Sequence, residues 1–222
     1  FYNVPDGDHT VYVMAYDLAG NSNFDMVIFT VDTAPPNVNI LSPTDGEWLN
    51  IENVTVSWSG NDSGSGIDHF EVRCYNSTWD SGWIDVGTDT SYTFAGLADG
   101  QYTVEVTAYD KAGFSSIDTV YFGVDTVAPT VAITSPLDGE WLTTSDVTVT
   151  WTGSDSGSGI SYYEIKLDEG SWIDVGTDTS YTFVGVSEGS HTVYLRAVDK
   201  AGNVGLDSVS FGVDSTPPTV TI

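Results

Sequence analysis

Carboxylate side chains have the most scope for chemistry in this chain, and they recur at fixed spacings. The 222 residues carry 32 acidic and 5 basic side chains, and Asp outnumbers Glu by 24 to 8. Six of the Asp residues form two sets of three. Each member of the second set follows its counterpart in the first, at spacings of 93, 93 and 89 residues. They are Asp32, Asp62 and Asp110, followed by Asp125, Asp155 and Asp199. Converging carboxylates suit Ca²⁺, which takes about six to eight oxygen ligands, so the chemistry depends on the elements that position them.

The sequence is built from repeats of roughly 90 residues, a period typical of tandem domains. Residues 85–94 return unchanged at 174–183, and residues 58–67 return with conservative changes at 151–160. A linker of the form Asp-Thr/Ser-x-x-Pro begins at Asp32, Asp125 and Asp214. The phase of these motifs predicts the C-terminal part of one repeat, two complete repeats, and the first strand of another. The boundaries are 1–35, 36–127, 128–216 and 217–222. Because half a sandwich cannot bury its apolar face, the strands that complete the first fragment are expected in a longer polypeptide or a neighbouring subunit.

Each repeat is predicted to be all-β. Val54, Val56 and Trp58 alternate with polar residues, which is the period of a strand with one wet face. No window shows helical periodicity. Seven strands per repeat fit a β-sandwich. In the first complete repeat they span about 37–42, 53–59, 67–75, 83–86, 91–96, 101–109 and 116–124.

Several motifs resemble those of known sandwich families. Trp58 resembles the buried tryptophan of fibronectin-III domains, and residues 97–104 resemble their sixth strand with its tyrosine corner. The Ala-x-Asp-x-Ala-Gly-Asn loop and the Asp-Thr-x-Pro-Pro linker resemble those of Ig-like repeats in large archaeal and bacterial surface adhesins. The resemblance implies tandem seven-stranded Ig-like or fibronectin-III-like sandwiches. His9 and His191 stand where the tyrosine Tyr102 is found, so both are interpreted as structural, and His69 as a solvent-facing strand residue.

In that strand order the linker and two loops lie at one end of each sandwich, which would gather each set of three Asp residues. Asp89 and Asp178 lie in a loop expected to reach the same end. Calcium is the expected ion, and the resemblance to calcium-stiffened adhesin repeats points the same way. The alternative is that each Asp only caps a turn by accepting backbone N–H bonds.

Other residues have structural or surface interpretations. Cys74 lies in an alternating apolar strand and is interpreted as a core thiol. Trp58 and Trp151 are expected in the core, the other recurrent tryptophans are expected to pack, and Trp79 is the candidate for surface aromatic contact. Three sequons match the N-glycosylation pattern, with Asn76 first, then Asn53 and Asn61.

Composition and motifs exclude several functions. A net charge of −27 repels nucleic acid and anionic lipid, and no direct membrane insertion is expected in this segment. No catalytic motif is present, and the carboxylates repeat identically, whereas an active site is normally unique. A non-enzymatic protein is therefore predicted.

The preferred function is an extracellular or cell-surface structural repeat, in a stalk, surface layer, adhesin shaft or filament. Calcium would rigidify its linkers, and its partners would be neighbouring repeats, further copies through self-association, and glycans. One alternative is a carbohydrate-binding or spacer module of a secreted enzyme. A second is a filament subunit assembled by strand donation.

Overall fold

The computed structural model describes all 222 residues, and every regular element in it is a β-strand. The chain divides into two compact units. The first comprises residues 1–47, 53–97 and 101–122, and the second comprises 48–52, 98–100 and 123–222. No helix long and apolar enough to cross a membrane is present.

A hairpin begins the chain and eight strands follow in each complete repeat. The hairpin consists of β1 (Gly7–Tyr16) and β2 (Ser22–Val31). The first sandwich contains β3 (Asn37–Ser42), β4 (Glu47–Leu49), β5 (Val54–Asn61), β6 (Ile67–Tyr75), β7 (Ile84–Asp85), β8 (Ser91–Phe94), β9 (Gly100–Asp110) and β10 (Ser115–Val124). The second contains β11 (Thr130–Ser135), β12 (Trp141–Leu142), β13 (Val147–Ser154), β14 (Ile160–Leu167), β15 (Ile173–Gly176), β16 (Ser180–Phe183), β17 (Gly189–Asp199) and β18 (Val204–Val213).

Each sandwich has a three-stranded and a five-stranded sheet. The first has the orders β3-β5-β8 and β4-β10-β9-β6-β7, and the second repeats them as β11-β13-β16 and β12-β18-β17-β14-β15. The predicted all-β sandwich fold is confirmed. The sequence missed only the short strand at Trp48 and its counterpart at Trp141, which pairs in parallel with β18. Two or three residues are too few to show a period of two.

Alternation along the strands builds the core of each sandwich. Val54, Val56 and Trp58 are buried as predicted, and so are Val147, Val149 and Trp151 in the second. Each tryptophan ring meets an aromatic ring of the opposite sheet edge-on, Trp58 against Phe70 and Trp151 against Tyr163. Such pairs add to the stabilisation from apolar burial.

The two ends of the chain differ from the complete repeats. The hairpin β1–β2 pairs Gly7 with Val31 through Tyr16 with Ser22, the same register as β17–β18. Its apolar side chains, including Val13 and Met14, are largely exposed. Residues 217–222, predicted as the first strand of another repeat, form no strand here. First strands β3 and β11 are each held by a later strand of the same repeat.

Cys74 is a core residue, as predicted. Its side chain is fully buried on β6 opposite Val104. Burial disfavours the thiolate and raises the pKa of the Cys74 thiol to about 12. The thiol is therefore not a reactive nucleophile at neutral pH.

His191 is structural, as predicted, and both of its ring nitrogens have hydrogen-bond partners. Its Nδ1 lies 2.8 Å from Asp168 Oδ2 and its Nε2 lies 2.9 Å from the Ser187 carbonyl oxygen. The Asp168 carboxylate and the Ser187 carbonyl only accept hydrogen bonds, and the Ser187 hydroxyl also lies 3.4 Å from Nε2. The hydrogen bond to Asp168 raises the pKa of His191, against the opposing effect of burial.

We expect the stability of the second sandwich to fall as pH rises through the folded-state pKa of His191. A raised folded pKa contributes stability that is fully present below the unfolded value of about 6.5 and is lost above the folded value. His191→Tyr, which installs the residue type of Tyr102, should remove this pH dependence. Thermal unfolding from pH 6 to 9 of both proteins measures it, and identical pH profiles would contradict the assignment.

Candidate metal centres

The first sandwich brings the three predicted carboxylates of its set together. Asp32 lies in the linker before β3, Asp62 in the β5–β6 loop, and Asp110 ends β9. One carboxylate oxygen from each lies within 4.8 Å of the others. Asp32 and Asp110 are buried and Asp62 is half-buried. The strand order therefore positions these carboxylates as the sequence predicted.

The linker carboxylate is held tightly against the β5–β6 loop. Asp32 Oδ2 accepts the Ser65 N–H at 2.8 Å and Oδ1 accepts the Ala34 N–H at 3.1 Å. Hydrogen bonds from Ser65 and Ala34 lower the pKa of Asp32. A Cβ at Gly64 would lie 2.3 Å from the Asp32 Cγ, so only glycine leaves room for the carboxylate. The linker is thus fastened to the following repeat as a carboxylate anion.

The other two carboxylates of the first cluster use one oxygen each as a turn cap. Asp62 Oδ2 accepts the N–H groups of Gly64 at 3.0 Å and Gly66 at 2.7 Å. Asp110 Oδ1 accepts the Phe114 N–H at 2.9 Å. Asp110 Oδ2 has no hydrogen-bond partner, although the residue is only 3% exposed. A buried carboxylate oxygen without a partner is costly, and a cation would satisfy it.

The second sandwich repeats the arrangement with Asp125, Asp155 and Asp199, again within 4.8 Å of one another. Asp125 Oδ2 accepts the Ser158 N–H at 2.6 Å, and Gly157 leaves room for that carboxylate as Gly64 does. Burial acts to raise the pKa of Asp125, but hydrogen bonds from Ser158 and Val127 outweigh it and lower the pKa.

Turn capping and cation binding are compatible in this geometry. Backbone N–H groups fix one oxygen of each capping Asp, as the capping alternative requires. These bonds leave further carboxylate oxygens in the cluster. Three convergent hard oxygen donors match the preference of Ca²⁺. The ion pairs of the chain involve His69, Arg73, His191 and Arg196, and none of them includes a cluster carboxylate.

A second set of acidic residues holds the linkers from the preceding repeat. Thr126 donates its N–H at 2.9 Å and its hydroxyl at 3.0 Å to Asp99. The Thr33 hydroxyl donates to Asp6 at 3.0 Å, and the Ser215 N–H donates to Glu188 at 3.1 Å. Sequence reasoning missed this set. Its signal is an acidic residue directly before the strand predicted as the sixth of each repeat, which is β9 in the first sandwich.

The remaining candidates lie apart from the clusters. Asp89 and Asp178, expected at the same end, are in neither group of convergent carboxylates. Each lies in a turn closed by its own N–H, to Val86 and Val175 respectively.

The sequon residues lie in loops or at a strand end. Asn76 Oδ1 accepts the N–H groups of Thr78 and Trp79, so Asn76 organises its own loop. Asn53 Oδ1 accepts the Gly96 N–H, and Asn61 is exposed at the end of β5. Their glycosylation stays a prediction.

The tryptophans show that packing and exposure coexist. Trp79 is 42% exposed and meets Tyr102 edge-on. Trp141 was expected to pack, and its ring does lie on Gly212, where a Cβ would be 2.4 Å away, but it remains 62% exposed. Gly212 covers only one face of the indole ring, so the other face stays exposed to solvent.

Fold and clusters together define a tandem Ig-like repeat protein. The family described as bacterial Ig domain matches residues 36–106 and 129–195. The chain belongs to this family. Ig-like and fibronectin-III-like domains are typically non-catalytic modules.

Two curated relatives carry similar repeats within much longer chains. Halomucin from Haloquadratum walsbyi is 35% identical over 99 residues, 44% of this chain and 1% of Halomucin. Chitinase A1 from Niallia circulans is 30% identical over 199 residues, 85% of this chain and 27% of the chitinase. The chain thus spans about a quarter or less of the length of these relatives.

A solved structure supports the fold. The fibronectin(III)-like modules of Clostridium thermocellum CbhA align with a TM-score of 0.52 and 23% identity. The alignment covers 80% of this chain and 94% of the modules. The similarity shows the shared architecture of the sandwiches.

Proposed function

We propose that this chain is a structural segment of an extracellular protein, such as a stalk, surface layer, adhesin shaft or filament, whose repeat junctions bind calcium. Each junction combines an Asp of the linker with two Asp residues of the following sandwich. A cation shared by these three carboxylates would join the linker to that sandwich. Function then resides in the mechanical link between repeats, and the segment itself carries no reaction.

The unpartnered Asp110 Oδ2 carries the proposal. A carboxylate oxygen that is buried and unpaired costs free energy in the folded state, and this cost is recovered if the oxygen coordinates a cation. Asp32 supplies a second carboxylate whose lowered pKa keeps it ionised. The alternative in which Asp110 only caps its turn accounts for Oδ1 and leaves Oδ2 unexplained.

Both ends of the linker motif are held, which supports a role in stiffening. The Thr126 N–H is bound by Asp99 on one side, and the adjacent Asp125 carboxylate is bound by Ser158 on the other. Two neighbouring residues are thus fastened in opposite directions along the chain. A cation on Asp125 would strengthen the second attachment without changing the first.

An extracellular location follows from the proposed ion. Extracellular calcium sites bind with dissociation constants of about 10⁻⁴–10⁻³ M, which matches millimolar calcium outside cells. A surface of −27 charge would also need cation screening before copies could associate laterally. Self-association and contact with glycans are therefore proposed for calcium-containing conditions.

A second candidate function is a spacer or carbohydrate-contacting module of a secreted enzyme. The similarity to chitinase A1 over 85% of this chain favours it, and Trp79, Trp83 and Trp141 are partly exposed aromatics that could stack on sugars. Tryptophan fluorescence titrated with chitin oligosaccharides tests this candidate. Quenching that Trp79→Ala abolishes would support it, and an unchanged spectrum would exclude this contact.

Small-angle scattering of several consecutive repeats, with calcium and then with chelator, tests the stiffening role. In calcium, the conformations of the chain that fit the scattering should span a narrower range of maximum dimensions. Chelation should broaden that range while circular dichroism shows intact strands. Asp32→Asn with Asp125→Asn is the control, because it should behave like the chelated protein in both conditions. Indistinguishable scattering with and without calcium would remove the proposal and leave the fold assignment unaffected.

A further inference from the structure

The turns that follow Asp110 and Asp199 differ at one side chain. The turn after Asp110 ends in Phe114, and the turn after Asp199 ends in Asn203. The backbone of the two turns is the same. Asp110 Oδ1 accepts the Phe114 N–H at 2.9 Å, and Asp199 Oδ1 accepts the Asn203 N–H at 2.9 Å. The two turns are therefore a matched pair in which only the side chain at the last position changes.

The Asn203 amide satisfies the carboxylate oxygen whose counterpart is left open in the first cluster. Its Nδ2 donates to the Asp199 Oδ2 at 2.9 Å and to the backbone oxygen of Asp125 at 2.7 Å. Both acceptors belong to residues of the cluster, and one of them is the linker residue. The amide thus sits as a donor between the linker and the end of β17, where a cation would otherwise bridge them.

Phe114 cannot make these bonds, and the consequence is visible in the first cluster. A phenyl ring has no donor, and Asp110 Oδ2 is the buried oxygen without a partner. The hairpin at the start of the chain provides a third example. Asn21 Nδ2 donates to Asp17 Oδ2 at 2.7 Å, as Asn203 does to Asp199. Wherever asparagine ends the turn the second carboxylate oxygen is satisfied, and where phenylalanine ends it that oxygen is open.

We infer that the residue ending this turn sets the cation affinity of its junction, with Phe114 leaving the first cluster open and Asn203 plugging the second. Calcium binding at the second cluster must first displace two amide hydrogen bonds, one of them to a carboxylate. Calcium binding at the first cluster displaces none and satisfies a buried oxygen. This inference rests on the proposed function, and it adds that cation-filled and amide-closed junctions are specified repeat by repeat.

The expected difference in affinity is at least about tenfold. A hydrogen bond to a charged group contributes roughly 1.5–3 kcal/mol, and about 1.4 kcal/mol corresponds to one factor of ten in a dissociation constant. If the displaced Asn203 amide turned its Oδ1 to the ion, it would recover part of that loss. The amide would then be a ligand, and removing it would weaken binding. Substitution of Asn203 therefore distinguishes an amide that blocks the cation site from an amide that binds the ion.

Calcium chloride titrations of the full chain, followed by ¹H–¹⁵N NMR, resolve the two sites separately. The amides of Gly64 and Gly66 report on the first cluster, and those of Gly157 and Gly159 report on the second. We expect the first pair to saturate at about tenfold lower calcium than the second. Phe114→Asn should remove most of that advantage, and Asn203→Phe should tighten the second site by a similar factor. Asn203→Ala, which removes the amide without adding a ring, should also tighten it.

The outcomes separate the inference from the function on which it rests. If neither pair of amides responds to calcium up to about 10 mM, which is above the expected range of dissociation constants, the proposed function fails and takes the inference with it. If both respond but with equal affinities, or if Asn203→Ala weakens the second site, the inference that Asn203 blocks that site is wrong. The proposed calcium binding at the junctions is then not contradicted. Asp110→Asn, which removes a charge from the first cluster alone, confirms the assignment of the amide probes.

Discussion

Trp151→Ala should lower the free energy of unfolding of the second sandwich by about 3–5 kcal/mol. Trp151 is 2% exposed and its ring centroid lies 5.9 Å from that of Tyr163 on the opposite sheet. Truncation removes a large apolar surface and leaves a cavity between sheets that cannot fully collapse. Trp58→Ala should have the corresponding effect on the first sandwich.

Native-state hydrogen exchange at the amides of Val193 and Leu195, both in the buried part of β17, measures this loss directly. Their slowest exchange reports the free energy of global opening of that core. The control is Val184→Ala, a side chain that is 80% exposed and should change stability by about 0.5 kcal/mol or less. A loss below about 1 kcal/mol for Trp151→Ala would mean that this tryptophan is not the centre of a packed core.

Gly64→Ala should detach the linker carboxylate and weaken calcium binding at the first cluster at least about tenfold. The new Cβ would lie 2.3–2.6 Å from the three carboxylate atoms of Asp32, so the carboxylate must leave. It then loses the 2.8 Å hydrogen bond from the Ser65 N–H. A charge-assisted hydrogen bond alone contributes roughly 1.5–3 kcal/mol. Loss of one of the three charged ligands of the site should therefore weaken calcium binding by an amount of this order.

Two readouts separate loss of the ligand from general damage. The pKa of Asp32, followed by ¹³C NMR of its carboxyl carbon, should rise towards its ordinary value because its hydrogen bonds from Ser65 are lost. Gly157→Ala is the matched variant and should affect Asp125 and the second cluster only. Ser63→Ala, at an exposed neighbour in the same loop, should leave both readouts unchanged. An Asp32 pKa that stays as low in Gly64→Ala as in the parent chain would show that the loop relaxes around the methyl group.

The sandwich fold could be predicted because its signals are local and repeated. Alternation at Val54, Val56 and Trp58 gives the face that is buried, and repetition at Val147, Val149 and Trp151 excludes coincidence. The strand order then determines which loops share an end. The sequence therefore groups Asp32, Asp62 and Asp110 as the structure does.

What the sequence could not predict depends on contacts between side chains and backbone across loops. The space that Gly64 leaves for Asp32 is a three-dimensional fit, and glycine is common in loops wherever the backbone turns sharply. The change from Asn203 to Phe114 looks like ordinary loop variation in an alignment of the repeats. Only the structure shows that the amide satisfies Asp199 Oδ2 while Asp110 Oδ2 has no partner.

Hydrogen–deuterium exchange of the linker and its anchoring loop, in about 5 mM calcium and in chelator, tests the junction most directly. The Ala34 and Ser65 amides both donate to Asp32, and we expect calcium to slow their exchange while the buried strand residue Val104 exchanges unchanged. Asp110→Asn should erase that protection at these two amides. Equal exchange of Ala34 and Ser65 in calcium and in chelator would contradict a cation-held linker.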